Sequence, residues 1–108
     1  MKTKTKIMIV DDAEMNREIL MAILGDEYEY VQAENGRQAI HILQQDMNID
    51  LMLLDINMPE MNGFQVLDRM NTFHWINDIP VIMISSEEKK DVIERAISLE
   101  RKIYPQAI

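Results

Sequence analysis

Two adjacent aspartates, Asp11 and Asp12, follow the apolar run KIMIV; a third, Asp55, follows LMLL; Ser85 and Ser86 follow PVIMI. Each polar group stands at the end of a short hydrophobic stretch, and that shared position gives the residue types their meaning. Carboxylates gathered in one place repel, by roughly 4 kcal/mol for two charges about 4 Å apart at an effective dielectric near 20. A divalent cation offsets this, and all-oxygen ligation suits Mg²⁺ or Mn²⁺. A carboxylate beside such an ion is a nucleophile toward a phosphoryl group, giving an aspartyl phosphate, while a nearby hydroxyl donates to a transferring oxygen. Capping is the competing role, with Asp12 serving the first helix and Asn57 or Asn62 the third. For any one acid taken singly, capping is the better account. The doublet, the lone Asp55 and Ser85 at equivalent strand ends together favour a metal site. No GxxxxGK[ST] motif occurs and no Gly-rich turn opens the first helix, so the phosphoryl donor comes from elsewhere.

A sheet is needed to bring these ends together. KIMIV, LMLL and PVIMI are too short for helices, and their near-continuous apolar character predicts strands covered on both faces. YEYVQA at 28–33 alternates and predicts a more exposed strand. Between them lie stretches of helical period. EMNREILMAIL puts Met15, Ile19 and Ile23 on one face with Leu20 and Leu24 beside them, and Gly25 stops it. NGRQAIHILQQ turns Ala39, Ile40 and Leu43 inward behind Asn35 as N-cap; GFQVLDRMN gathers Phe64, Val66, Leu67 and Met70 behind Asn62. SSEEKKDVIERAISL opens with groups suited to the positive end of a helix dipole. The order β-α-β-α-β-α-β-α predicts an open, doubly wound α/β fold with parallel strands, whose ligands sit beyond the carboxyl ends of the strands.

Composition agrees with one compact domain over residues 1–108. Apolar residues are 47% and charged residues 28%, too apolar a balance for a disordered chain of this length. The net charge of −8, from 19 acids against 11 Lys and Arg, argues against direct nucleic-acid binding, which relies on basic side chains. There is no cysteine, and the apolar run near the N-terminus is too short for a leader or a membrane span; a cytoplasmic location is expected. Met8, Met52 and Met83 read as core, Met58 and Met61 as the rim of the site, and Trp75 as a packing anchor. His41 and His74 lack any partner pattern.

KIMIVDD, LLDINMPEMNGFQVL and IPVIMISSEE resemble the signature segments of the receiver domain of two-component response regulators, over about residues 5–99. The resemblance implies a flavodoxin-like sheet of order 2-1-3-4-5. It implies Asp55 as phosphoacceptor for a histidine kinase or phosphotransfer protein, with Asp11, Asp12, Asp55 and the backbone carbonyl of Asn57 around Mg²⁺. Ser85 is then the switch hydroxyl, and Pro59 and Gly63 shape the loop after Asp55. No catalysis beyond self-phosphorylation and autodephosphorylation is expected. Signalling follows when Ser85 turns toward the phosphoryl group and biases the surface around 86–99.

The tail, residues 100–108, departs from this pattern. Receivers continue with a Gly-containing turn, a fifth strand ending in Lys-Pro and a fifth helix, whereas here the chain reads AISLERKIYPQAI. The family lysine falls near Ala107; Lys102 lies in a helix-like stretch and is no substitute, and Tyr104 reads as packing. The fifth strand and helix are expected to be altered or missing. Val92, Ala96, Leu99 and Ile103 continue a helical stripe up to Pro105, so a lengthened fourth helix covering a second copy is one expectation. Two functions from different classes follow: a phosphorylatable receiver, or a phosphorylation-deficient interaction module acting through a homodimer with exchanged C-terminal elements. A frayed monomer stands against the dimer. An independent Mg²⁺-dependent phosphatase is weakened by Asn57, where a general acid would be wanted.

Overall fold

The computed structural model of the chain describes residues 4–46, 48–85, 90, 91 and 94. Its elements run β1 (Lys6–Val10), α1 (Glu14–Leu24), β2 (Glu29–Ala33), α2 (Gly36–Gln45), β3 (Leu51–Asp55), α3 (Gly63–Thr72), a 3₁₀ turn (Trp75–Asn77) and β4 (Val81–Ile84). Among the described residues these make one four-stranded sheet in the order β2-β1-β3-β4, all pairs parallel. This is the first part of the expected 2-1-3-4-5 order. Lys90, Asp91 and Glu94 are helical. The remainder of the expected fourth helix, Ser86, the stripe from Val92 to Ile103, Lys102, Tyr104, Pro105, Ala107 and the fifth strand and helix lie outside the described residues.

The helices end where their sequences say they must. Gly25 takes φ 95, a left-handed conformation open to glycine without strain, and its N–H closes α1 on the Met21 carbonyl. Asn35 Oδ1 accepts from the Gln38 N–H at 2.8 Å, and Asn62 with Gln65 forms a reciprocal capping box at the start of α3. The competing role of Asp12 as a cap is not taken up: the N-cap of α1 is Ala13, with no side-chain cap bond.

Among the described residues two cores result, one on each face. Met8, Val10, Met52 and Leu54 point toward α2 and α3, meeting Ala39, Leu43, Val66 and Met70. Ile7, Ile9 and Leu53 point toward α1 and meet Leu20, with Met21 and Leu24 packed alongside. Burying one such side chain contributes about 1.5–3 kcal/mol, so these clusters hold the helices to the sheet.

The orientation of α1 corrects the sequence reading. Met15 is 71% and Ile23 44% exposed, while Arg17 and Leu20 are buried. The inward row is Arg17, Leu20, Leu24, at a spacing as helical as the expected Met15, Ile19, Ile23. Phe64 of α3 is also exposed, leaving Val66 and Met70 to fill the core. Continuous cover of the fourth strand is not found either: Ile82 is 52% exposed. Met58 is buried in the core rather than on a rim, and Trp75 stacks on Phe73 with ring centroids 4.7 Å apart. Among the described residues no helix is long and apolar enough to cross a membrane.

Candidate functional site

The winding direction reverses between β1 and β3. From β1 the chain passes outward to β2 by way of α1, then returns through α2 to β3 on the other side. In a parallel sheet the loops leaving two such strands diverge and open a crevice at their carboxyl ends. Asp11 follows β1 directly and Asp55 is the last residue of β3, so both acids stand at that crevice.

One carboxylate oxygen from each of Asp11, Asp12 and Asp55 lies within 4.8 Å of the other two. Asp11 is 1% and Asp55 2% exposed, whereas Asp12 faces solvent. Each buried carboxylate is oriented by a backbone N–H two residues on: Ala13 donates to Asp11 Oδ1 at 2.9 Å, and Asn57 to Asp55 Oδ1 at 3.1 Å. Ser85, half-buried, comes directly after β4, whose Ile84 is level with Asp55 in the register. The sheet therefore brings the three acids together and sets Ser85 one residue beyond its neighbour on the adjoining strand. Asn57 is adjacent through its N–H; it is exposed and does not cap α3, which Asn62 does.

The loop after Asp55 is tightly built. Ile56 N–H donates to the Ile84 carbonyl at 3.0 Å, and Gly63 N–H donates back to the Ile56 carbonyl at 2.9 Å. A Cβ at Gly63 would stand 2.5 Å from the Asp55 carbonyl oxygen and 2.9 Å from Ile56 Cα, so no side chain fits there. Between them Met61 N–H reaches the Pro59 carbonyl at 2.7 Å across Glu60, which takes φ 66. Tight turns with positive φ on a non-glycine residue store strain, and here it lies beside the acidic crevice.

The donor set fits a hard divalent cation. Three carboxylates at this spacing, two out of solvent, repel by several kcal/mol at an effective dielectric near 20, and Mg²⁺ with its oxygen preference and retained waters offsets this. Sequence reading found all of these acids. It missed Arg17, buried on α1, which donates to the Asp11 carbonyl at 2.7 Å and to Gln32 Oε1 at 3.0 Å. The available signal is the spacing of Arg17 from Leu20 and Leu24, which sets it on the inward side of α1.

A doubly wound parallel sheet carrying an acidic trio at its switch point defines a class of phosphoryl-accepting α/β modules. The response regulator receiver domain family matches residues 7–104, and the chain belongs to it. A two-component response regulator of rice, ORR3, is 31% identical over 104 residues, covering 90% of this chain and 79% of its own length. The response regulator RR06 of Streptococcus pneumoniae is 42% identical over 81 residues, 74% of this chain and 36% of that protein. The response regulator TrrA of Thermotoga maritima, solved with Mg²⁺ and BeF, superimposes with a TM-score of 0.68 at 33% identity, covering 85% of this chain and 80% of that one. The chain is thus a receiver domain whose acidic cluster is positioned for Mg²⁺-dependent phosphoryl transfer, a self-modification rather than turnover of a separate substrate.

Proposed function

We propose that Asp55 is the phosphoacceptor, that Asp11 and Asp12 with the Asn57 carbonyl hold Mg²⁺, and that Ser85 is the switch hydroxyl, the donor being a histidine kinase or phosphotransfer protein. The observation that carries this is the burial of Asp55 within 4.8 Å of two further carboxylates at the end of a central strand. A bound Mg²⁺ supplies positive charge for the oxygens of the transferring phosphoryl group. The chain does the rest. Asn57 N–H holds Asp55 Oδ1, fixing the rotation of the carboxylate. An Asp55 oxygen forms the new P–O bond as the P–N bond of the donor phosphohistidine breaks, and the departing imidazole takes up a proton. Ser85, directly after the adjoining strand, donates its hydroxyl to a phosphoryl oxygen.

On this reading residues 5–99 are the receiver-like part of a single domain that works in the cytoplasm, where its kinase partner presents the phosphoryl group. Incubation with Mg²⁺ and acetyl phosphate tests it: mass spectrometry finds one added phosphoryl group on the wild type and none on Asp55→Asn. Equal labelling of both would sink the assignment.

A second reading is an interaction module that acts as a homodimer with exchanged C-terminal elements. Exposed Ile82 on β4, which lies on the same face as Ile84, favours it. Sedimentation at micromolar concentration separates the two, since a monomer that takes up phosphate removes the dimer as the purpose of the fold.

A further inference from the structure

Three charged side chains are buried among the described residues: Asp11, Asp55 and Arg17. The proposed phosphoryl transfer engages the first two. We infer that Arg17 is a positioning residue for the cation site, holding the main chain at Asp11 so that the adjacent carboxylates are in place before the ion arrives. The inference rests on the Mg²⁺ reading of the acidic trio and extends it to a residue outside that trio.

The Arg17 Nη1 donates to the Asp11 carbonyl at 2.7 Å, and its Nε donates to Gln32 Oε1 at 3.0 Å. Asp11 is also held by its own N–H, which donates to the Ala33 carbonyl at 3.1 Å, and by Ala13 N–H on Oδ1 at 2.9 Å. These bonds tie the Asp11 backbone to β2 and its carboxylate to the following turn. Arg17 ties its carbonyl to α1 and, through Gln32, to the edge strand. A guanidinium suits this task because its N–H groups leave a rigid plane in fixed directions and can meet two separate acceptors, whereas an ammonium is a point charge on a flexible stem. Gln32 is exposed on β2 and is not one of the acidic trio, so its amide serves to aim the fork.

The charge on Arg17 makes the inference decidable. A buried cation next to a site for another cation opposes uptake of the ion, so electrostatics alone requires that removing Arg17 tighten Mg²⁺ binding. Positioning requires the opposite. An arginine kept at 8% exposure, with its guanidinium paired to the main chain of a ligand-bearing residue, serves geometry.

Calorimetric titration with Mg²⁺ is the test, accompanied by phosphorylation rates from acetyl phosphate across Mg²⁺ concentrations. For Arg17→Met the Mg²⁺ dissociation constant rises about tenfold, the size of a lost hydrogen bond from a charged donor, while the rate at saturating Mg²⁺ stays within about threefold of wild type. Arg17→Lys recovers part of the affinity, and Gln32→Ala, which removes only the aim, weakens binding by about threefold. A merely structural role would lower the plateau rate and leave the half-saturating Mg²⁺ in place. Should Arg17→Met fail to fold, Arg17→Lys and Gln32→Ala decide the matter. Unchanged or tighter Mg²⁺ binding in the folded variants overturns the inference while the trio stands. A wild type that takes up no Mg²⁺ overturns the reading of the trio, and the inference with it.

Discussion

Under α2 and α3 the sheet face is filled by fully buried side chains, Met8, Met52, Leu54 and Leu43 among them; under α1 the packing is thinner, and one of the two buried residues of that helix is an arginine. Both faces belong to the same four strands. The difference lies in what each side supports. The α2–α3 face holds the strands in register and carries most of the apolar burial. The α1 face adjoins the loop that bears Asp11 and Asp12, and part of its interior is given to the polar link from Arg17 to the main chain. The α2–α3 face thus carries most of the stability, while the polar link to Asp11 is built on the α1 face.

The largest expected effect tests that division directly. Leu54→Ala, at a position with no exposure, should lose about 4 kcal/mol, while Leu20→Ala under α1 should lose about 2 kcal/mol, as the thinner layer can close around the space. Urea unfolding of both variants measures the ratio, and equal losses would break the comparison. The next effect concerns the crevice itself. In the absence of divalent cations Asp55→Asn should stabilise the fold by about 1–2 kcal/mol, because it removes one charge from a trio of close carboxylates. Thermal unfolding in chelator measures the gain, and adding Mg²⁺ should raise the midpoint of the wild type more than that of the variant.

The smallest effect belongs to the edge of the thin face. Tyr30 donates its hydroxyl to the Gly25 carbonyl at 2.6 Å and so ties the end of α1 to β2. Burial, followed by the neighbouring Tyr28 and Asp26, holds its ionisation above the ordinary phenol value of 10.0. The folded state therefore favours the neutral form. The contribution is complete below about pH 10 and is lost as pH rises through the raised value, because the unfolded phenol ionises first. Tyr30→Phe should cost about 1 kcal/mol at neutral pH and flatten the alkaline loss of stability, as read from unfolding midpoints between neutral pH and pH 11.

Much of this architecture is legible in the sequence, because the punctuation is local. Gly25, Asn35 and Asn62 mark helix ends through backbone needs that no distant residue alters. The trio is legible too, through the shared position of its acids at strand ends, since any one of them alone reads better as a helix cap. Helix rotation is not local. On α1 two rows of helical spacing compete, one apolar throughout and one opening with Arg17, and periodicity cannot choose between them; the acceptors on Asp11 and Gln32, reached by Arg17, belong to other elements. Phe64 and Met58 fail for a related reason: which apolar side chain enters a core depends on the space its neighbours leave.

The vacancy at Gly63 carries a consequence for how the domain can vary. With α3 butted against the carbonyl of Asp55, the genetic alphabet at that position shrinks to one letter. Asp55 is mounted on a seam that cannot yield, and on the proposed reading the message leaves by way of the neighbouring strand.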